Sequence, residues 1–237
     1  MQALLLAAGL GTRLRPLTDH LPKCLVPIHG KPLLSYWLDR LLAGNIERVL
    51  INTHYLPDVV TEFVARSKWR ERITLVHEDV LLGTGGTILQ NRNFFGRDPF
   101  LVAHADNLTQ FDLAAFQARH ANRPAGCEMT MMTFETDAPQ TCGIVEEDER
   151  GIVIGFHEKV ANPPSNHANG AVYICEATVI DLLESLGKDT IDLSTEVISR
   201  LLGRICTFSN DGYHRDIGNL ESLRLAEAEF PRESQPQ

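Results

Sequence analysis

No apolar run in this chain of 237 residues approaches the roughly 20 that a bilayer span requires, so no membrane partner is expected. The opening MQALLLAAGLGTR lacks the basic start of a secretory leader, and its apolar run breaks at Gly9, so it is not read as a signal peptide. Cysteine is sparse. Cys24, Cys127, Cys142, Cys175 and Cys206 are odd in number and scattered, and no CxxC pair offers zinc or redox chemistry. Reduced thiols in a cytoplasmic protein are the expectation. A basic surplus is also missing: the net charge is −9, which argues against nucleic acid as a partner. Repeats, low-complexity tracts and linkers are absent.

What is present is an ordinary globular composition, 43% hydrophobic and 22% charged. Its charge is unevenly placed. Residues 1–31 carry Arg13, Arg15, Lys23 and Lys31 against Asp19 alone, whereas the remainder holds 18 basic and 30 acidic side chains. A locally basic segment rich in glycine, on an acidic protein, points to a small anionic ligand.

Apolar runs and helical periodicities alternate through the first half. Strands are expected at Ala3–Ala8, Val49–Asn52, Ile73–His77 and Phe100–His104. Helices are expected from Pro32 to Gly44, at Pro57–Arg66, at Gly86–Phe94, and at Asp112–His120 with Asp112 as cap. Beyond residue 120 the links shorten. Strands are expected at Met129–Phe134, Gly143–Glu147, Ile152–His157 and 169–174, with EDERG as a hairpin turn. Helices at 177–186 and 194–202, a strand at 204–208 and a helix from Asn219 to Phe230 complete the reading. The class is α/β, a Rossmann-like, mostly parallel sheet with helices on both faces. We expect one domain over 1–230. Residues 1–120 would form a nucleotide-type half and 121–230 an acceptor-type half, with a polar tail at 231–237.

Gly9-Leu10-Gly11 follows the first strand, yet two phosphate fingerprints fail. The dinucleotide pattern GxGxxG has Leu14 where its third glycine belongs, which opposes an NAD-dependent oxidoreductase. The P-loop GxxxxGK[ST] is absent as well. The glycines suit a loop whose amides face an anion. Arg13 and Lys23 could add charge there, although GLGTR by itself is as readily a surface turn.

The whole stretch LAAGLGTRLRPLTDHLPKCLVPIHGKPLL is more specific than its parts. It resembles the signature of sugar-1-phosphate nucleotidyltransferases, the nucleotide-sugar pyrophosphorylases. Further segments follow in that family's order. LLGTGGTI at 81–88 resembles its second base-binding loop, and FLVAHADN at 100–107 the strand ending in a metal-binding aspartate. FHEKV at 156–160 and NGAVYI at 169–174 resemble its sugar site, and HRDIG at 214–218 its second metal aspartate.

The resemblance implies an enzyme of the EC 2.7.7 class that joins an NTP and a sugar 1-phosphate, giving an NDP-sugar and pyrophosphate. Ala7, Ala8, Gly9, Gly11, Thr12, Arg13, Gly85 and Asp106 would bind the nucleotide. Arg13 and Lys23 would be catalytic. Glu158, Lys159 and Asn169 would bind the sugar phosphate, and Asp106 and Asp216 would hold Mg²⁺. Chain length and NGAVYI lean towards guanylyl transfer to mannose- or heptose-type phosphates. Uridylyl or thymidylyl transfer to N-acetylmuramate or glucose 1-phosphate, a cholinephosphate-type cytidylyltransferase, and a non-catalytic nucleotide-sugar sensor are the alternatives.

Three features depart from the family pattern or bound it. Ala105 precedes the first metal aspartate where glycine is common. Val160 follows Glu158-Lys159 where proline is common. No left-handed β-helix repeat follows HRDIG, so no fused acyltransferase is expected. His104 and His214 each stand two residues before an aspartate, which raises the question of imidazole ligation. Homo-oligomerisation is left open.

Overall fold

The strand Gln2–Leu6 (β1) is apolar after its first residue. Its buried side chains divide between two cores, Ala3 and Leu5 facing one and Leu4 the other. A central strand covered on both faces requires that division. It holds in the computed structural model, which describes residues 1–232. Most of the expected polar tail, residues 233–237, lies outside the described residues.

After β1 the chain makes three short 3₁₀ turns, Thr12–Leu14, Leu17–Asp19 and Lys23–Leu25. A small hairpin follows, Pro27–Ile28 (β2) with Lys31–Pro32 (β3). Then come Leu33–Ala43 (α1), Val49–Thr53 (β4), Pro57–Arg66 (α2), Ile73–His77 (β5), Gly83–Gln90 (α3), Arg92–Phe95 (α4) and Phe100–His104 (β6). A short strand, Asn107–Thr109 (β7), precedes Leu113–Ala121 (α5), whose expected cap is present: the Asp112 carboxylate accepts from the Ala115 amide. The second half runs Met129–Glu135 (β8), Gly143–Glu147 (β9), Val153–Glu158 (β10), His167–Cys175 (β11), Thr178–Ser185 (α6), Ile205–Ser209 (β12), His214–Asp216 (β13) and Leu220–Glu229 (α7).

Two expected helices take another form. The one expected at Gly86–Phe94 starts earlier, at Gly83, and is divided at Asn91 into α3 and α4. Its early start has a cause: the Ile191 carbonyl, from a distant segment, accepts from the Gly85 and Gly86 amides at 2.9 and 3.2 Å. First-turn amides that a helix leaves unpaired are satisfied in this way. The helix expected at 194–202 is a π turn, Leu193–Val197, running into a 3₁₀ turn, Ile198–Leu201. Asp192 caps it by accepting from the Thr195 amide.

Nine strands share one sheet in the order β10-β9-β11-β6-β1-β4-β5, with β8 also paired to β11 and β12 paired to β8. The stretch β6-β1-β4-β5 is parallel, as the alternation of strands and helices predicts, and β12 runs parallel to β8. Strand β11 joins the two halves by pairing antiparallel with β6, β8 and β9. Outside this sheet, β7 and β13 form a separate antiparallel pair that sets Asp216 opposite Asn107. Helix α1 holds that pair in place, because the buried Trp37 donates from Nε1 to the Asn107 carbonyl at 2.8 Å.

Candidate active site

The glycine loop leaves β1 at its carboxyl end, where open α/β sheets place ligands. The Ala7 amide donates to Asn52 Oδ1 at 2.7 Å, which turns the chain out of the sheet. Gly11 has φ of +63°, and its carbonyl accepts from Thr18 Oγ1 at 2.7 Å. A Cβ on Gly11 would sit 3.2 Å from Lys23 Cβ, so the bare backbone lets the Lys23 turn pack against the loop.

Lys23 is 8% exposed and lies between two carboxylates, with Nζ 2.5 Å from Asp106 Oδ2 and 3.1 Å from Asp216 Oδ1. Burial pushes the lysine pKa down, but the two aspartates outweigh burial and the net shift is upward. Burial likewise pushes the Asp106 carboxyl up, and Lys23 followed by His104 outweighs it, leaving the group below the usual carboxylate range. The β7–β13 pairing brings the second aspartate here, and the Ile217 amide donates to the Asp106 carbonyl at 3.1 Å. Arg13 closes the arrangement: a Cβ on Gly218 would meet Asp216 Oδ2 at 2.7 Å and Arg13 Nη2 at 3.3 Å.

These carboxylates fit a hard divalent cation. Their oxygens already converge on one positive centre, the Lys23 ammonium, and carboxylate oxygen is the donor that Mg²⁺ prefers. No group of three or more His, Cys, Asp and Glu side chains is arranged to hold a metal among the described residues. Phosphate oxygens and water would have to complete the shell. His214 packs its ring 4.1 Å from that of Phe134, and burial pushes its pKa down to about 3. His104 lines the cavity beside Asp106.

Two recesses border the carboxylate pair, one at Asp106 and the other at Asp216. One, of about 230 Å³, is lined by Ala8, Gly9, Glu78, Leu81, Thr84 and Asp106 among others. A polar network floors it. Glu78, only 6% exposed, accepts at Oε1 from Asn52 Nδ2 (2.9 Å) and Thr87 Oγ1 (2.6 Å), and at Oε2 from the Leu82 amide (3.2 Å). The other recess, about 710 Å³, is lined by Arg13, Thr136, Lys159, Tyr213 and Asp216 among others. Asp106 lines the first and Asp216 the second, so the Lys23 ammonium links a carboxylate of each.

The remaining expected residues fall at different depths. Lys159 faces the larger recess with φ of +49°, its amide donating to the Cys142 carbonyl and its ammonium 3.1 Å from Glu158 Oε1. Glu158 ends β10 opposite Gly143, where a Cβ would come within 2.7 Å of the Glu158 carboxylate. Asn169 is engaged at both ends of its amide, donating to the Tyr173 hydroxyl at 2.7 Å and accepting from the Ala171 amide at 2.9 Å. It therefore braces the irregularity in β11 between Asn169 and Tyr173. Gly85, expected close to the base, instead faces Ile191 and Leu183, and Gly83 lines the smaller recess in its place. Gly11 and Thr12 lie farther along the loop than Ala8 and Gly9.

Sequence reasoning missed Asn52, Glu78 and Thr87. Asn52 and Glu78 are lone polar residues without a motif, and Thr87, though inside LLGTGGTI, carried no mark of its own. The signal available was position, since Asn52 lies near the carboxyl end of β4 and Glu78 directly follows β5.

The family model described as nucleotidyl transferase matches residues 2–233. A mannose-1-phosphate guanylyltransferase of Mycobacterium tuberculosis is 33% identical over 237 residues, covering 98% of this chain and 65% of that protein. A mannose-1-phosphate guanyltransferase of Schizosaccharomyces pombe is 30% identical, covering 92% and 61%. The chain thus spans somewhat under two thirds of the length of these relatives. Among solved structures, HddC from Yersinia pseudotuberculosis complexed with GMP-PN superposes with a TM-score of 0.81 at 24% identity, covering 97% of this chain and 99% of that one. That likeness is one of fold.

Proposed function

Because this chain belongs to the nucleotidyl transferase family, we propose that it transfers a guanylyl group from GTP to a mannose- or heptose-type sugar 1-phosphate, releasing pyrophosphate. The observation that carries the reading is the meeting of Lys23, Asp106 and Asp216, with Asp106 lining one recess and Asp216 the other. The smaller recess, in the amino-terminal half, takes the nucleotide. The larger one takes the sugar phosphate.

The acceptor phosphate is already an anion, so no general base is needed. One of its oxygens attacks the α-phosphorus in line. The new P–O bond forms as the bond to the bridging oxygen of the β-phosphate breaks, and pyrophosphate leaves with that electron pair. Positioning and charge stabilisation are the demands on the protein. Arg13 sits to stabilise charge on the departing pyrophosphate, and Lys23 to neutralise the α-phosphate and the incoming oxygen. Lys159 holds the acceptor phosphate, and Glu158 accepts hydrogen bonds from ring hydroxyls. Asp106 and Asp216 would hold Mg²⁺, which when bound neutralises phosphate charge and orients the reacting oxygens.

Glu78 supports guanine as the base. Its Oε2 accepts only one weak amide hydrogen bond and keeps a free acceptor direction. Guanine presents adjacent N–H donors on its pairing edge, which suit a carboxylate. The reaction draws on NTP and sugar phosphate pools and is accordingly assigned to the cytoplasm. A matrix of GTP, UTP, dTTP and CTP against mannose, heptose, glucose and N-acetylmuramate 1-phosphates, read by pyrophosphate release and product mass, tests the reading. Turnover only with a pyrimidine nucleotide would overturn the base, and none with any pair would overturn the enzyme.

A further inference from the structure

Lys23 Nζ lies 2.5 Å from one carboxylate and 3.1 Å from the other, at the point on which the two aspartate oxygens converge. A magnesium ion bonds carboxylate oxygen at about 2.0–2.1 Å. A divalent cation held by the Asp106 and Asp216 carboxylates would compete with the ammonium for the same two partners. Two cations so close, in a site where Lys23 is 8% exposed, repel strongly. The two occupants are therefore alternatives.

We propose that Lys23 is a built-in surrogate cation: it clasps Asp106 to Asp216 in the resting protein, and a divalent cation gains the site only by displacing it. The inference rests on the metal reading given above. The lysine can leave without unfolding its turn. Its Cβ end is packed against Gly11, while the four-carbon stem lets the ammonium swing. A triphosphate in the smaller recess gives the released ammonium a new anionic partner. Metal and nucleotide then assist each other through Lys23, and the assistance is reciprocal. Metal alone meets a site where one of the two carboxylate charges is already offset.

The test is direct binding of Mn²⁺, followed by electron paramagnetic resonance without nucleotide. Lys23→Met should bind Mn²⁺ on the order of tenfold more tightly than the parent, in the range usual for coupled sites. Lys23→Arg, which keeps a cation, should stay close to the parent. A non-hydrolysable GTP analogue should raise Mn²⁺ affinity more in the parent than in Lys23→Met. Equal or weaker Mn²⁺ binding by Lys23→Met overturns the clasp. Asp106→Asn and Asp216→Asn separate the two readings. If they lose Mn²⁺ while Lys23→Met gains nothing, the clasp alone falls; if they bind Mn²⁺ as the parent does, the metal assignment falls and takes the clasp with it. Should Lys23→Met fail to fold, the unaltered protein decides. The ¹⁵N signal of its Lys23 ammonium should shift on saturation with Mg²⁺, and an unchanged signal at concentrations that support turnover overturns the proposal.

Discussion

Trp37 and Asn107 lie 70 residues apart, and the indole N–H of one donates to the backbone carbonyl of the other at 2.8 Å. Asn107 directly follows Asp106, so a core side chain on α1 fixes the backbone beside that carboxylate. Trp37→Phe keeps most of the apolar area and removes the donor. It should cost about 1–3 kcal/mol, the usual range for stranding a buried polar partner. It should also lower kcat with little change in thermal unfolding cooperativity. Urea titration and steady-state kinetics check both; unchanged kcat would confine Trp37 to the core.

Lys23→Ala should lower kcat/KM by a factor on the order of 10² or more, because a charge beside the reacting phosphorus is lost. Asp106→Asn and Asp216→Asn should each nearly abolish turnover, and EDTA should do the same reversibly. Coupled pyrophosphate assays on folded protein are the measurement. Full activity in EDTA would remove the metal from the mechanism.

Glu158→Gln should raise KM for the sugar 1-phosphate several-fold and leave that for the nucleotide near its starting value. A neutral amide is a weaker acceptor for ring hydroxyls. It also frees Lys159 from its ion pair with Glu158. A change confined to nucleotide KM would reverse the assignment of the two recesses.

Gly85→Ala separates a packing role from a ligand role. A Cβ there would lie 2.8 Å from Ile191 Cγ2 and 3.0 Å from Leu183 Cδ2, inside a filled core. Overpacking of this kind costs about 1–3 kcal/mol. Stability should therefore fall while nucleotide affinity, measured calorimetrically on the folded fraction, holds. Loss of affinity without loss of stability would restore Gly85 to the base site.

His120 is buried, with Nδ1 2.8 Å from Thr130 Oγ1 and Nε2 3.0 Å from Glu176 Oε1. Burial first, and Arg123 second, lower its pKa against the opposing pull of Glu176. The unfolded chain then binds more protons than the folded one below about pH 6.5, the ordinary histidine value. Stability contributed by neutral His120 is present above that value and declines as pH falls through it. Urea unfolding at pH 8 and pH 5.5 should show the loss, and His120→Gln should reduce it. An imidazole signal titrating above pH 6.5 would contradict the assignment.

Legibility in the sequence followed how local each signal is. Strands β5, β6 and β9 and helix α2 fall on their expected bounds, because apolar runs closed by turn residues are complete within ten residues. Lys23, Arg13, Asp106 and Asp216 were findable because they sit in recognisable strings. The β7–β13 pair was not foreseen, since strands of three residues carry almost no periodicity. Glu78 was invisible for another reason. Its significance lies in Asn52, Thr87 and the Leu82 amide converging upon it, and that convergence belongs to the fold rather than to any window of sequence.

The ion pair between Lys23 and Asp216 spans 193 residues. While the chain is being synthesised, the glycine loop and Asp106 emerge early and can settle on the first strands. The constellation stays incomplete until the segment carrying β13 leaves the ribosome and returns to β7. Closing so long a loop is entropically costly and slow compared with forming a helix. In refolding, helical signal should accordingly recover before turnover does. The proposed activity would thus report completed topology: a chain stalled or clipped before residue 216 could keep most of its sheet and still be chemically mute.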